Sequence, residues 1–132
     1  MKNYKVLILS CGTRGRHNSA ALAVQENLIE KGICADFVEY LDIINPKLKN
    51  RVNRLYIKTT HLFAAQALTS IKKEYPIHFI AISTDYVCIP FCEETNPDYF
   101  IIPHKDLEID FFKKGINKEK LLPFGISVSE SF

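Results

Sequence analysis

The sequence predicts an α/β fold with a mainly parallel sheet and flanking helices, and its first part carries most of that prediction. Residues 6–10 form a short apolar run that ends at Gly12, which is typical of a strand. Residues 18–31 repeat apolar side chains at three- and four-residue spacing, which predicts a helix. Residues 33–40 are again rich in strand-forming side chains. A strand, a helix and a strand in such a short stretch form a βαβ unit, whose two strands run parallel.

The ends of these first elements follow from individual residues. The uninterrupted apolar run over 6–10 favours a strand that is buried on both faces. Asn18 or Ser19 can cap the helix, because their side-chain oxygens accept hydrogen bonds from its first turn. Gly32 can stop the helix, because glycine readily takes the left-handed conformation that ends many helices.

Helices and strands alternate through the rest of the chain. The pattern predicts helices over 45–58, 61–73 and 104–115, strands over 78–83 and 98–103, and a last short strand or turn over 120–126. Residues 54–60 also alternate as a strand would, so a strand there is the alternative to the end of the first of these helices. The 78–83 strand is apolar enough to be buried, and Gly115 marks the end of the last helix. Together these elements predict a single Rossmann-like domain over residues 1–132.

Length and composition exclude several classes of protein. With 132 residues, 47% hydrophobic and 24% charged, the chain has the composition of an ordinary soluble domain. No stretch approaches the ~20 apolar residues of a membrane span, and the opening apolar run is too short for a signal peptide. The cysteines form no C-x-x-C pair, which favours reduced thiols over disulfides or zinc ligands; they are Cys11, Cys34, Cys88 and Cys92. No metal site and no cofactor are expected.

The charge is unevenly distributed along the chain. The net charge is +2, yet the segment from Ile43 to Lys73 contains seven basic residues and no acidic residue. Such a segment is a candidate contact for an anionic partner. Its predicted 45–58 helix has apolar and basic sides, which fits either a membrane surface or packing on the sheet with a solvated basic face. A nucleic-acid partner is not expected, since basic and aromatic side chains do not interleave on a recognisable module.

Polar clusters follow three of the predicted strands, and ligands of open parallel sheets bind at such carboxyl ends. The clusters are residues 12–17, 83–85 and 103–104. His17 lies at a helix start, where the helix dipole keeps the imidazole neutral and available as a base; the alternative is a plain capping residue. Asp85 is a candidate carboxylate of the site or a turn residue, and His104 is interpreted as a cap. The first cluster, residues 12–17, is a glycine-containing turn, hereafter the glycine turn. It matches neither a dinucleotide-binding fingerprint nor a Walker loop.

Two long stretches of the chain are similar to one known family. "KVLILSCGTRGRHNSAALAVQENL" (5–28) resembles the N-terminal signature of the monogalactosyldiacylglycerol synthases and the related processive diacylglycerol glucosyltransferases, in which a strand leads into a glycine-rich turn that ends in Gly-His. The sequence from "IAISTDYV" at residue 80 to the end is similar to the second half of the same domain, with its Thr-Asp pair. "THLFAAQAL" (60–68) is like the family's Thr/Ser-His stretch.

The resemblance implies the acceptor-side domain of a two-domain glycosyltransferase, which transfers a hexose from a nucleotide sugar to diacylglycerol or a similar lipid. It implies that His17 is the candidate base at the acceptor hydroxyl and that Asp85 lies in the same cleft. The expected acceptor- or phosphate-binding residues are Gly12, Thr13, Gly15 and Asn18. The expected membrane contacts are Lys47, Lys49, Arg51, Arg54 and Lys58. The expected location is cytoplasmic, peripheral to the inner face of the membrane.

The chain departs from the family pattern in four places. Arg14 and Arg16 stand where the family tends to have glycine, so they either bind phosphate or disturb the turn. Cys92 stands in place of a usual tryptophan, and the middle is shortened near 58–60. The sequence stops at Phe132, where the donor domain is expected. The expectation is that these 132 residues are inactive alone and use a nucleotide sugar only with a donor domain; the alternatives are a non-catalytic anionic-lipid-binding module or a decayed fragment.

Overall fold

The computed structural model describes residues 5–10, 16–39, 63–126 and 128, with Arg16, His17 and Phe63 described by their backbone alone. The chain divides into two compact units, and each is described by itself: Met1–Thr59 with Ser127–Phe132, and Thr60–Ile126. Both are built from helices and parallel strands, so the predicted α/β fold class is confirmed. The helix predicted over 45–58, its strand alternative over 54–60 and the shortening near 58–60 lie outside the described residues.

The first unit contains the predicted βαβ arrangement. Strand β1 (Lys5–Ser10) leads through helix α1 (Arg16–Glu30) to strand β2 (Cys34–Glu39). The two strands pair in parallel over their whole length, from Lys5 opposite Cys34 to Ser10 opposite Glu39. All three elements lie within one or two residues of their predicted bounds.

Small side chains bring α1 close to the two strands. Ala20 and Ala23 on the helix and Ala35 on β2 are buried, and the Gln25 side chain donates a hydrogen bond to the Ala35 carbonyl at 2.9 Å. Gly32 ends the helix as predicted: its φ is 74°, and the neighbouring N–H groups bond back to carbonyls of the last turn.

The prediction that β1 is buried on both faces is wrong. Leu7 on this strand is 59% exposed, whereas Ser10 at its end is buried. An uninterrupted apolar run in the sequence therefore does not require that the strand be buried on both faces. Over Lys5 to Ile8, exposed residues alternate with half-buried ones, which is the period of two that any strand has.

The second unit is a three-stranded parallel sheet with helices. Helix α2 (Phe63–Lys72) precedes strands β3 (Ile80–Ile82) and β4 (Tyr99–Ile101); helix α3 (Glu108–Lys113) and strand β5 (Leu121–Leu122) follow. The sheet order is β3-β4-β5. Three short 3-10 turns, Cys92–Glu94, Lys105–Leu107 and Lys118–Lys120, lie in the connections. The helix predicted over 104–115 is thus a 3-10 turn followed by α3.

The core of this unit lies between the sheet and α3. Phe111 of α3 and Ile102 after β4 are fully buried, and the Phe111 ring lies 5.8 Å from the ring of Phe100 on β4. Such tilted aromatic pairs stabilise a core beyond the area that they bury, by about 0.5–1.5 kcal/mol. Gly115 stops α3 as predicted, with φ 87° and the Ile116 N–H bonded to the Phe111 carbonyl at 3.2 Å.

The strand predicted over 78–83 is shorter and less buried than expected. It spans Ile80–Ile82, and its two isoleucines are 53% and 36% exposed, so the prediction of a buried strand is wrong. Phe79 is buried and Ala81 packs on the core, because successive side chains of a strand point to opposite faces. Both faces carry apolar residues, and the sequence therefore gives no alternation from which to predict the exposed side.

A polar network fixes the start of β4. Asp98 accepts hydrogen bonds from the Lys72 ammonium at 2.8 Å and from the Phe79 N–H at 2.9 Å, and its own N–H donates to the Phe79 carbonyl. His78 Nδ1 lies 3.5 Å from the same carboxylate. Partial burial alone would raise the pKa of Asp98, but the hydrogen bonds from Lys72, Phe79 and His78 outweigh it and lower the pKa to about 2.

Replacing this carboxylate should destabilise the fold in a pH-dependent way. Because the pKa of Asp98 is lower in the folded protein, its ionised form contributes stability above the unfolded pKa of about 3.9, and this contribution is lost as pH falls towards 2. We expect Asp98→Asn to lower the free energy of unfolding at neutral pH by about 1–2 kcal/mol, and by less near pH 3. Urea denaturation at the two pH values measures the difference.

The matched control is Glu74→Gln, which removes an exposed carboxylate two residues after the end of α2, the helix that carries Lys72. It should leave the unfolding free energy within about 0.5 kcal/mol of the parent at both pH values. Equal losses for the two variants, or a loss for Asp98→Asn that does not change with pH, would contradict the assignment.

Candidate functional site

The carboxyl end of β1 is joined to α1 by a side-chain hydrogen bond. Ser10, the last residue of the strand, is buried, and its Oγ donates to Asn18 Oδ1 at 2.8 Å. Asn18 lies in the first turn of α1 and is half-buried. The predicted binding residue therefore also has a positioning role, since it fixes the helix start against the strand that precedes it.

The glycine turn lies between these two elements. β1 ends at Ser10 and α1 begins at Arg16, so five residues connect them. His17 belongs to the first turn of α1, as its predicted position at a helix start requires. Its side chain lies outside the described residues, as do Gly12, Thr13 and Gly15. The roles of these four residues therefore stay predictions. Whether Arg14 and Arg16 bind phosphate or disturb the turn also stays open as a prediction.

Two other predicted clusters meet at one edge of the second sheet. Ser83 follows β3 directly, and its N–H donates to the Ile101 carbonyl at 2.9 Å. Pro103 and His104 follow β4, which is parallel to β3 and adjacent to it. The carboxyl ends of the two strands thus lie side by side, where ligands of such sheets bind.

Asp85 occupies a turn just beyond this edge. It is half-buried, and its backbone carbonyl lies 3.4 Å from the Oγ of Ser83, which donates to it. This hydrogen bond favours the interpretation of Asp85 as a turn residue. A role of its carboxylate in the binding site stays a prediction. Asp85 and His17 belong to different units, so the cleft that the resemblance implies for them also stays a prediction.

His104 is a helix cap, as predicted. Its Nδ1 accepts a hydrogen bond from the Asp106 N–H at 3.2 Å, at the start of the 3-10 turn that precedes α3. The ring is mostly exposed and lies 3.3 Å from the Asp106 carboxylate. A ring nitrogen that accepts from the backbone serves the local fold, which favours capping over chemistry for this residue.

Two cysteines lie beyond this edge: Cys92 is buried in the core of the second unit, and Cys88 packs against that core. Lys114, directly after α3, donates a hydrogen bond to the Cys88 backbone carbonyl at 3.3 Å. Burial, first of all, and the neighbouring Cys88 raise the pKa of Cys92 to about 12. Cys88, Cys92 and the exposed Cys34 are free cysteines in the structure, and their redox state stays a prediction.

Comparison with known families decides where the chain belongs. The family model described as monogalactosyldiacylglycerol (MGDG) synthase matches residues 23–128. The chain belongs to this family. It is therefore a domain of the glycolipid-glycosyltransferase type, as the resemblance implied. No curated protein and no solved structure matches the chain.

The matched residues include much of the candidate site but not its glycine turn. They contain the whole second sheet and Asp85, and they begin after His17 and Asn18. The family assignment therefore does not depend on the glycine turn or on the start of α1. Within the described ranges, the chain has no helix that is both long and apolar enough to cross a membrane. The five predicted membrane contacts between Lys47 and Lys58 lie outside those ranges.

Removing the Asn18 side chain should destabilise the first unit, because it leaves the buried Ser10 hydroxyl without its acceptor. An unsatisfied buried hydroxyl costs about 1–3 kcal/mol, so Asn18→Ala should lower the unfolding free energy by this order. Urea denaturation followed by circular dichroism measures the change.

Two further variants test the same hydrogen bond. Asn18→Asp keeps an acceptor oxygen and should restore most of the stability lost in Asn18→Ala. Ser10→Ala removes the buried hydroxyl itself, so adding Asn18→Ala to it should cost little more. Full additivity of the two alanine substitutions would show that the pair contributes nothing.

Proposed function

We propose that this chain is the acceptor-binding part of a glycolipid-forming glycosyltransferase, which passes a hexose from a nucleotide sugar to diacylglycerol or a similar lipid. The observation that carries the proposal is the family membership over residues 23–128. The proposed location follows from the substrate: a lipid acceptor is met at a membrane surface, here taken as the cytoplasmic face. The nucleotide sugar is proposed to bind a donor domain, in keeping with the two-domain architecture that the resemblance implies.

The proposed reaction begins with His17 at the start of α1. His17 is proposed as a base because the positive end of the helix dipole disfavours the charged imidazolium and favours a ring that can accept a proton. In the proposal it removes the proton from the acceptor hydroxyl, whose oxygen then attacks the sugar carbon while the nucleoside diphosphate leaves. Asn18, already bonded to Ser10, holds the beginning of this helix in place.

The glycine turn supports the same assignment by its position. It connects the end of β1 to the start of α1, where backbone N–H groups without helical partners can bind polar or anionic groups. In the proposal, Gly12, Thr13 and Gly15 bind the polar head of the acceptor there. Asp85 is proposed to line the cleft on the acceptor side, at the carboxyl edge of the second sheet.

A second candidate function rests on the basic segment. Five basic residues and no acidic residue occur between Pro46 and Lys58, so the chain could serve as a non-catalytic module that binds anionic lipid. The two proposals share membrane contact and differ in whether His17 matters for activity. The following two experiments separate them.

The first experiment measures catalysis by the chain joined to the donor domain of a family member. With a nucleotide sugar and diacylglycerol, we expect His17→Ala to lower kcat by roughly 10²–10⁴-fold, because positioned proton transfer contributes that much. The same 132 residues without a donor domain should transfer no sugar, since orientation of donor against acceptor is then missing.

The matched control for this experiment is His104→Ala, which removes a histidine that caps the turn before α3. It should lower stability slightly and leave kcat within a factor of a few. An undiminished kcat in His17→Ala would return that histidine to a capping role and favour the lipid-binding module.

The second experiment measures membrane binding by co-sedimentation with vesicles. Each basic residue near an anionic surface contributes about 1 kcal/mol, so binding should be stronger to phosphatidylglycerol-rich than to neutral vesicles and should weaken with salt. Reversing Arg51 and Arg54 to glutamate should reduce binding to anionic vesicles by at least about tenfold.

The control reverses Lys105 and Lys113, two exposed lysines of the second unit, and changes the net charge by the same amount. It should bind almost as the parent does, because the effect is proposed to be local to residues 46–58. Equal binding of the parent to anionic and neutral vesicles, at any salt concentration, would remove the electrostatic part of the proposal. Loss of fold in the Arg51 and Arg54 variant would favour packing of that helix on the sheet.

A further inference from the structure

Residues 86–91, hereafter the apolar loop, expose most of their large side chains to solvent. Tyr86, Val87 and Phe91 are 67%, 60% and 49% exposed, and Pro90 is exposed as well. The loop contains no charged residue. Single apolar residues on a surface are ordinary, but four of them within six consecutive residues form a patch, and exposed apolar patches mark interaction sites.

Lys114, directly after α3, holds the backbone of the apolar loop. Its ammonium donates hydrogen bonds to the Ile89 carbonyl at 2.9 Å and to the Cys88 carbonyl at 3.3 Å. Cys88 and Ile89 pack against the core of the second unit, and the buried Cys92 follows the loop. The exposed side chains therefore belong to a segment whose backbone is positioned by the fold.

Phe91 has an unusual backbone conformation for an aromatic residue. Its φ is 69°, in the left-handed region that non-glycine residues rarely adopt. Its carbonyl accepts a hydrogen bond from the Glu94 N–H at 3.0 Å, in the short 3-10 turn that follows. Because half of the ring remains exposed, burial in the core does not account for this strained residue. Strain of this kind is common in segments that bind a partner.

The charges that border the apolar loop are mainly acidic. Asp85 precedes the loop, and Glu93 and Glu94 follow it. The Glu93 carboxylate lies 3.8 Å from the Lys114 ammonium, which offsets one of these charges. Such a border gives no attraction to an anionic surface, so a contact made by the loop depends on burial of apolar groups and not on charge.

We propose that the apolar loop inserts into the interfacial layer of a lipid bilayer. Tyr86 combines an apolar ring with a hydroxyl, and such side chains favour the boundary between headgroups and acyl chains. Val87 and Phe91 supply the apolar groups that insertion withdraws from water. The choice of a bilayer over a protein partner rests on the proposed function, in which the acceptor is a lipid.

The proposed insertion differs from the membrane contact proposed for residues 46–58 in both segment and force. The apolar loop follows β3 at the carboxyl edge of the second sheet, next to Asp85. Insertion would therefore bring the proposed acceptor side of this sheet to the membrane surface. The basic segment supplies an attraction that salt weakens, whereas the loop supplies one that salt leaves in place.

The experiment uses tryptophan as a probe of insertion, because the full chain contains none. Tyr86→Trp places a single indole in the apolar loop at an exposed position, and circular dichroism establishes that the variant is folded. With phosphatidylcholine vesicles, we expect its emission to shift to shorter wavelength and to be quenched by lipids with brominated acyl chains. Both effects should persist at high salt.

The matched control is Tyr75→Trp. Tyr75 is 62% exposed and lies in the connection that enters β3 at the opposite edge of the sheet. The indole of this variant should show neither the shift nor the quenching with the same vesicles. Equal quenching in the two variants would contradict a local insertion and overturn the proposal.

Adding Phe91→Asn to Tyr86→Trp tests the loop while keeping the fold. Asparagine adopts a left-handed conformation more readily than phenylalanine, so circular dichroism should show an intact domain. Loss of the ring should weaken binding to phosphatidylcholine vesicles by roughly tenfold, because less apolar surface is withdrawn from water.

Two further outcomes would overturn the proposal. One is a folded Tyr86→Trp chain that is not quenched, whether or not it sediments with the vesicles. The other is self-association that Phe91→Asn abolishes, without quenching, which would assign the apolar loop to a second copy of the chain. Sugar transfer that depends on His17 can persist in either case, so failure of this proposal is distinguished from failure of the proposed function.

Discussion

The hydrogen bonds of Asp98 are the interaction on which the second unit depends. One carboxylate joins the end of α2, through Lys72, to the residue before β3, through the Phe79 N–H, at the point where β4 begins. The neighbouring Asn96 accepts from Lys72 and Lys120 and donates its N–H to Thr69, so the same segment is also tied to the residue before β5. The amino-terminal edge of the sheet is thereby fixed by charge-assisted hydrogen bonds, which are roughly twice as strong as neutral ones.

The opposite edge is arranged differently. Beyond the carboxyl ends of β3 and β4 lie Ser83, Asp85 and a capping His104, and then the turn that carries the two thiols. In an α/β sheet, the connections at one end hold helices and strands together, while the connections at the other end remain available to a ligand. The family membership and the proposed acceptor role both fit this division.

The sequence predicted the features that local patterns determine, such as helix ends and caps. It missed the features that depend on contacts between distant residues. Gly32 and Gly115 marked their helix ends correctly, because a left-handed terminal residue is a local requirement. His104 was recognised as a cap for the same reason. The exposed faces at Leu7 and Ile80 were not foreseen, since apolar runs carry no sign of which side is covered. The Asp98 network joins residues up to 26 positions apart, and no spacing rule anticipates it.

The order of the second sheet has a consequence for how the chain can fold during synthesis. Its strands lie in space as β3-β4-β5, in the order in which a ribosome would make them, and each pairs in parallel with the one just before it. Every new strand can therefore add to the open edge of its predecessor as it emerges, without waiting for a later segment to be inserted between two earlier ones. Growth by successive addition avoids the long exposure of unpaired inner strands that leads nascent chains to aggregate.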